Sequence, residues 1–150
     1  MISNVFLDSS VLVEAMKGRH VQFLDSFLAN NNYNCFINET VISEFLFHVL
    51  GTNGGVSPKT LQQGGKVPAT LILNPAYAGI FRYVHFLQTD ASLFTEVPRL
   101  MIQYNLLPND AIIIATCLYH NIHFLAAHDA DFVSACVGEG ITLLNDAPAV

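Results

Sequence analysis

Short apolar runs alternate with longer amphipathic stretches along most of the chain. Ile2 to Leu7 is an apolar run that stops at Asp8, which reads as a buried strand. Ser9-Ser10 offers an N-cap for a helix to about Lys17, stopped by Gly18. A second helix is expected from about His20 to Ala29, with Val21, Leu24, Phe27 and Leu28 on one face and the Asn30-Asn31-Asn32 run ending it. Cys35 to Ile37 reads as a second strand. Asn38 then caps a helix over Glu39 to Leu50 that Gly51 closes. Residues 51–57 read as a loop, and Ser57-Pro58 starts a short helix that ends by Gly64-Gly65. Asn74-Pro75 starts another, through about Phe86, and Thr89 or Asp90 caps a further helix to about Tyr104. Pro98 inside that segment predicts a kink or a late start. Asn109 is expected to cap a helix from Asp110 to His120, followed by a strand over Ile122 to Ala126. A short helix near Phe132 to Cys136 and a last strand over Ile141 to Leu144 complete the chain. Strands alternating with helices predict a three-layer α/β/α fold around a mainly parallel sheet.

Composition agrees with a packed fold. Of 150 residues, 52% are hydrophobic and 12% charged, enough to fill a core and unlike a disordered chain. No repeat or linker divides the sequence, so residues 1–150 are expected to form a single domain. No apolar run approaches the roughly 20 residues of a membrane span. Met1 to Asp8 has no basic segment and is not a signal peptide in this reading, so no membrane association is expected. Cys35, Cys117 and Cys136 lie in apolar contexts without CxxC spacing; they read as reduced core residues and suit a cytoplasmic location. The net charge of −6, with only Lys17, Arg19, Lys59, Lys66, Arg82 and Arg99 as basic residues, is unfavourable for a nucleic-acid binder. Acids that act as metal ligands ease this tension, because a bound divalent cation cancels charge locally.

The positions of the acids carry the chemistry. Asp8 ends the first strand, where ligand sites of open parallel sheets lie, and Asp129 lies just past the 122–126 strand, at the same edge if the sheet is parallel. Asp110 begins a very apolar helix; a helix-dipole role, worth about 0.3–1 kcal/mol, accounts for it equally well on position alone. Glu44 sits among Val41, Ile42, Phe45, Leu46 and Val49, where an unpaired buried carboxylate is costly, although an exposed helix position also fits. If the four converge, each pair about 4 Å apart repels by roughly 4 kcal/mol at an effective dielectric near 20. Such a cluster requires a cation, and hard oxygen ligands suit Mg²⁺ or Mn²⁺ rather than zinc.

Three stretches resemble the PIN-domain family, which includes the VapC-like toxin ribonucleases: VFLDSSVLVEAM, INETVISEFLFHVL and LLPNDAIIIATCLYHNIHFLAAHDADF. The resemblance places metal-binding acids on Asp8, Glu44, Asp110 and Asp129, with Asp131 a second candidate for the last, a supporting hydroxyl on Ser10, and Asn109 beside Asp110. It implies a PIN-like fold, Mg²⁺- or Mn²⁺-assisted hydrolysis of RNA by in-line attack of water, a small antitoxin partner and a homodimer. Asp110 and Glu44 are both candidates for an assisting base. The family usually has Thr or Ser two residues before the last acid, where this chain has Ala127, and the 51–80 segment is longer and more Gly/Pro-rich than in compact toxins.

Other polar residues read as structural. His128 fits a surface loop, and His120 and His123 flank a helix end whose dipole favours positive charge. Lys17, Arg19, Arg82 and Tyr83 are candidate phosphate contacts or solvated surface positions. Tyr77, Phe81, Val84 and Leu87 show helical spacing and read as core or dimer packing. Two other functions compete with the nuclease: a PIN-fold module that binds RNA or protein without efficient turnover, and a haloacid-dehalogenase-like phosphatase. The latter requires a second aspartate where Ser10 stands.

Overall fold

The computed structural model describes residues 2–145. Five strands, β1 (Ser3–Leu7), β2 (Tyr33–Ile37), β3 (His85–Phe86), β4 (Phe124–Ala126) and β5 (Thr142–Leu144), form one sheet in the order β3-β2-β1-β4-β5. All four pairings are parallel. Parallel strands covered on both faces need apolar residues at successive positions. The centre of β1 meets that need, with Val5, Phe6 and Leu7 wholly buried. The strand order reverses between β1 and β4. A crevice at their carboxyl ends is therefore dictated by topology before any side chain is considered.

Helices flank the sheet as expected: α1 (Ser9–Met16), α2 (Val21–Leu28), α3 (Glu39–Gly54), α4 (Pro58–Gln63), α5 (Val67–Leu73), α6 (Leu93–Tyr104), α7 (Pro108–Tyr119) and α8 (Phe132–Glu139). Helix α3 packs on α1, α4, α5 and α7, while α6, α7 and α8 pack on one another. The core holds Phe6, Phe45, Phe132, Leu100, Ile113, Ile114 and Leu125, all essentially inaccessible. The three cysteines are unpaired and buried in it. Among the described residues, no helix is long and apolar enough to cross a membrane.

Several boundaries differ from the sequence reading, each for a local reason. The cap of α1 is Asp8, not Ser9 or Ser10; its carboxylate accepts from the Ser10 N–H. Helix α7 begins at Pro108 rather than Asp110, because proline at the first helical position supplies the right φ and needs no N–H partner. Its cap is Leu107, without a side-chain bond, and Asn109 is released for another contact. Helix α3 runs past Gly51 to Gly54, so the first part of the expected 51–57 loop is helical; Gly55, at φ 70°, ends it in the left-handed region. Helix α5 was not foreseen. The segment after Asn74-Pro75 is a 3-10 helix (Pro75–Arg82) followed by β3, an edge strand of two exposed residues too short to leave an alternation pattern. Tyr77, Phe81, Val84 and Leu87 nevertheless pack against the core. Helix α6 starts late, at Leu93, and contains Pro98; the carbonyl freed by the missing N–H belongs to the exposed Phe94. Strand β4 is shorter than expected, because Ile122 closes α7 by donating to the Cys117 carbonyl.

Asn38, inaccessible at the end of β2, joins two elements that matter for the site. Its side-chain oxygen accepts from the Val41 N–H at 3.1 Å, capping α3, and its amide donates to Thr116 Oγ1 of α7 at 3.0 Å. Asn38→Ala removes a cap and a buried hydrogen bond, and is expected to destabilise the fold by about 1–3 kcal/mol. Urea denaturation checks this as a lower midpoint at unchanged m-value.

Candidate metal centre

The carboxyl ends of β1 and β4 place two acids at the crevice. Asp8 follows β1 directly, and its backbone N–H donates to the Ala126 carbonyl of β4 at 2.9 Å, which fixes it against the neighbouring strand. Asp129 lies three residues beyond β4. Helix α3 brings Glu44 and α7 brings Asp110. All four line one cavity of about 290 Å³, together with Ser9, Ser10, Val13, Glu14, Lys17 and His48. Asp131 does not line it. It sits at the start of α8, where its N–H donates to Asp129 Oδ1 at 2.9 Å.

Hydrogen bonds hold these carboxylates individually. Ser10 Oγ donates to Asp8 Oδ2 at 2.5 Å and accepts from the His128 N–H at 3.1 Å. Ser9 Oγ donates to Glu44 Oε2 at 2.7 Å, and Asn109 Nδ2 donates to Glu44 Oε1 at 2.6 Å. Glu44 is thus neither exposed nor unpaired. Ser9 was not singled out from the sequence; its signal was a hydroxyl directly after a strand-end aspartate, read there only as a cap. His128, expected on a surface loop, packs its ring on His20 and Phe23 at centroid distances of 4.7 and 5.2 Å. His120 is the C-cap of α7, with Nε2 3.0 Å from the Gln88 carbonyl oxygen. Ala127 is fully buried and its N–H donates to Leu144 O at 3.0 Å.

Electrostatics show the cost of this gathering. Asp8 is only 4% exposed, and burial raises its pKa against the opposing hydrogen bonds from Ser10; Glu44 raises it further. Asp110 is pushed up to about 6, first by burial and then by the charges of Asp8, Asp129, Glu44 and Asp131. The lining donors are overwhelmingly carboxylate and hydroxyl oxygens, the set that a hard divalent cation prefers. Among the described residues, no three Asp, Glu, His or Cys side chains already converge on one point. The residues fit Mg²⁺ or Mn²⁺ in donor chemistry and in the excess negative field that such an ion would relieve.

Comparison with known proteins identifies the family and the fold. The sequence profile of the PIN domain matches residues 5–137. Ribonuclease VapC6 of Methanocaldococcus jannaschii is 35% identical over 139 residues, covering 87% of this chain and 91% of that protein; Ribonuclease VapC2 of the same organism is 26% identical, covering 87% of each. Among solved structures, VapBC2 from Rickettsia felis, bound to a DNA fragment from its promoter, aligns with a TM-score of 0.59 at 18% identity, covering 95% of this chain and 98% of that one. Mycobacterium tuberculosis VapC20, described as a sarcin-ricin loop cleaving toxin, aligns with a TM-score of 0.58 at 16% identity, covering 87% and 94%. At these identities the structural matches speak to the fold.

The raised pKa of Asp110 has a consequence for stability. An acid whose folded pKa lies above its unfolded value favours the folded state when protonated, at low pH. That contribution is lost as pH rises from about 3.8 through about 6. At pH 7 without divalent metal, Asp110→Asn is therefore expected to melt above the parent, by roughly 2–4 °C after allowing for solvent screening of a half-buried group. The gap should close towards pH 4. Thermal melts in EDTA across this range measure it, and equal melting temperatures at pH 7 would contradict the assigned electrostatics.

Proposed function

This chain belongs to the PIN-domain family, and we propose that it is a divalent-metal ribonuclease, the toxin of a toxin–antitoxin pair, built as a single domain over residues 1–150. The observation that carries the reading is the meeting of Asp8, Glu44, Asp110 and Asp129 on one cavity at the topological switch of the sheet. Its support from relatives is the ribonuclease name borne by VapC6 and VapC2.

In this reading Asp8, Glu44, Asp110 and Asp129 hold one or two Mg²⁺ or Mn²⁺ ions, and Asp131, behind Asp129, adds negative field. A divalent cation there supplies Lewis acidity toward a phosphate oxygen and toward water. The protein's own groups set orientation. Ser10 engages one oxygen of Asp8. Ser9 and Asn109 each donate to one oxygen of Glu44 and orient it as a ligand, and of the two candidates for the base Asp110, whose protonated form burial favours, is the one assigned to take a proton from the attacking water.

The partners follow from the same reading. Single-stranded RNA is the substrate. A cognate antitoxin is supported by neighbours solved as toxin–antitoxin assemblies, among them one from Klebsiella pneumoniae with a TM-score of 0.54. A homodimer suits Phe94, Ile102 and Val137 on α6 and α8, which are 85%, 86% and 80% exposed. The cytoplasm suits three buried cysteines left as free thiols.

Purified protein is expected to cleave single-stranded RNA with Mn²⁺ and not with EDTA. Asp8→Asn and Asp110→Asn should each lower the rate by roughly 100-fold or more. Asn109→Ala, which only loosens Glu44, should lower it by about 10–100-fold. Parent-like activity in Asp8→Asn or Asp110→Asn sinks the assignment. Tight RNA binding without turnover in Mn²⁺ favours instead a PIN-fold binding module.

A further inference from the structure

Beside the carboxylate cavity, the turn between α1 and α2 borders a larger one, of about 520 Å³, lined by Gly18, His20, Val21, Gln22, Phe23 and Ser26. Its size falls within the range of small-molecule sites. The two are neighbours in the chain and in space. Lys17 lines the first and Gly18 the second. His128 links them, its N–H bonded to Ser10 Oγ and its ring lying on His20 and Phe23. His20 holds a φ of 50°, a conformation uncommon for residues other than glycine and found disproportionately at functional sites.

Charge is distributed unevenly along α1. The first cavity is lined by five carboxylates, Asp8, Glu14, Glu44, Asp110 and Asp129, and Lys17 is the one Lys or Arg among the described residues lining it. Glu14 pairs with that charge only in part, because its stronger partner is Arg19. Arg19 engages both of its oxygens, through Nε at 2.5 Å and Nη2 at 2.8 Å, and holds its carboxyl below the usual range. Lys17 Nζ stays 3.7 Å from Glu14 Oε1, beyond hydrogen-bond length, so the pair orients the ammonium without using its donors. From Ser10 to Lys17 the helix rises by roughly 10 Å, so its two ends address different phosphates of a bound strand.

We propose that the α1–α2 turn is a subsite for a nucleotide flanking the scissile phosphate of single-stranded RNA, with Lys17 on the flanking phosphate and the base in the 520 Å³ cavity against Phe23 and His20. The proposal rests on the ribonuclease reading above. Single-stranded RNA is held by aromatic stacking and backbone charge, and this turn offers both. Gln22 adds an amide for the edge of the base, and Ser26, whose hydroxyl donates to the Phe23 carbonyl at 2.6 Å, adds an acceptor oxygen. The clamp of Arg19 on Glu14 gives an acidic protein a localised cationic contact where its net charge would otherwise repel the substrate.

The test is equilibrium binding of a short single-stranded RNA in EDTA, by fluorescence anisotropy at several salt concentrations, beside Mn²⁺-dependent cleavage. Lys17→Ala should reduce the slope of log affinity against log salt by about 0.7, and Lys17→Arg should restore it. Removing the base at one flanking position should weaken parent binding at least about fivefold. His20→Asn, which tolerates the left-handed backbone but lacks the ring, should shrink that penalty. A parent that cleaves RNA, with a Lys17→Ala slope equal to the parent's and no position sensitive to base removal, overturns the subsite and leaves the nuclease standing. A parent that does not cleave RNA at all overturns the nuclease reading and the subsite with it.

Discussion

The burial of carboxylates at the carboxyl edge of β1 and β4, and the repulsion between them, is the constraint on which the site depends. Asp8 is buried by the strand it ends, Asp110 by the helix it enters; the charge of Glu44 raises the cost of ionising Asp8, and that of Asp8 the cost of ionising Asp110. Packing alone does not explain such a cluster, since a core of this hydrophobicity would be more stable with apolar residues there. The acids remain because the fold brings them together by several independent routes. The order of the strands puts Asp8 and Asp129 on adjoining ends, and helices α3 and α7 deliver Glu44 and Asp110 from outside the sheet.

What surrounds the cluster follows from that cost. Each hydroxyl and amide nearby is assigned to a particular oxygen: Ser10 to Asp8, Ser9 and Asn109 to Glu44. Asn38 pins α3 to α7 beneath them, so the helices carrying Glu44 and Asp110 are tied by a buried bond as well as by apolar contact. Polar groups fix the acids and the hydrophobic core fixes the polar groups. Farther along α1 the same helix reverses its sign, ending in Lys17 beside a Glu14 already neutralised by Arg19.

Much of this was legible in the sequence because the strands bearing the acids are buried. An apolar run ending in an acid, as at Val5-Phe6-Leu7-Asp8, admits few readings, and the apolar helix behind Asp110 admits few more. The middle of the chain was less legible. Strand β3 is two exposed residues on a sheet edge, and α5, whose one buried residue is Thr70, has no strong apolar face. Helix starts were misplaced where two capping devices competed. Pro108 began α7 before Asn109 could cap it, which freed Asn109 to reach Glu44, 65 residues away. Long-range pairings of that kind, like Ser9 with Glu44, leave no local pattern, since each residue taken alone resembles an ordinary cap.

Anomalous scattering from a crystal soaked in Mn²⁺ probes the centre of this account most directly. Manganese density is predicted in the cavity within reach of Asp8, Glu44, Asp110 and Asp129, and absent there in an Asp110→Asn crystal soaked identically. Manganese bound elsewhere, with that cavity empty in the parent, would contradict the claim that a doubly charged ion is what reconciles these four acids.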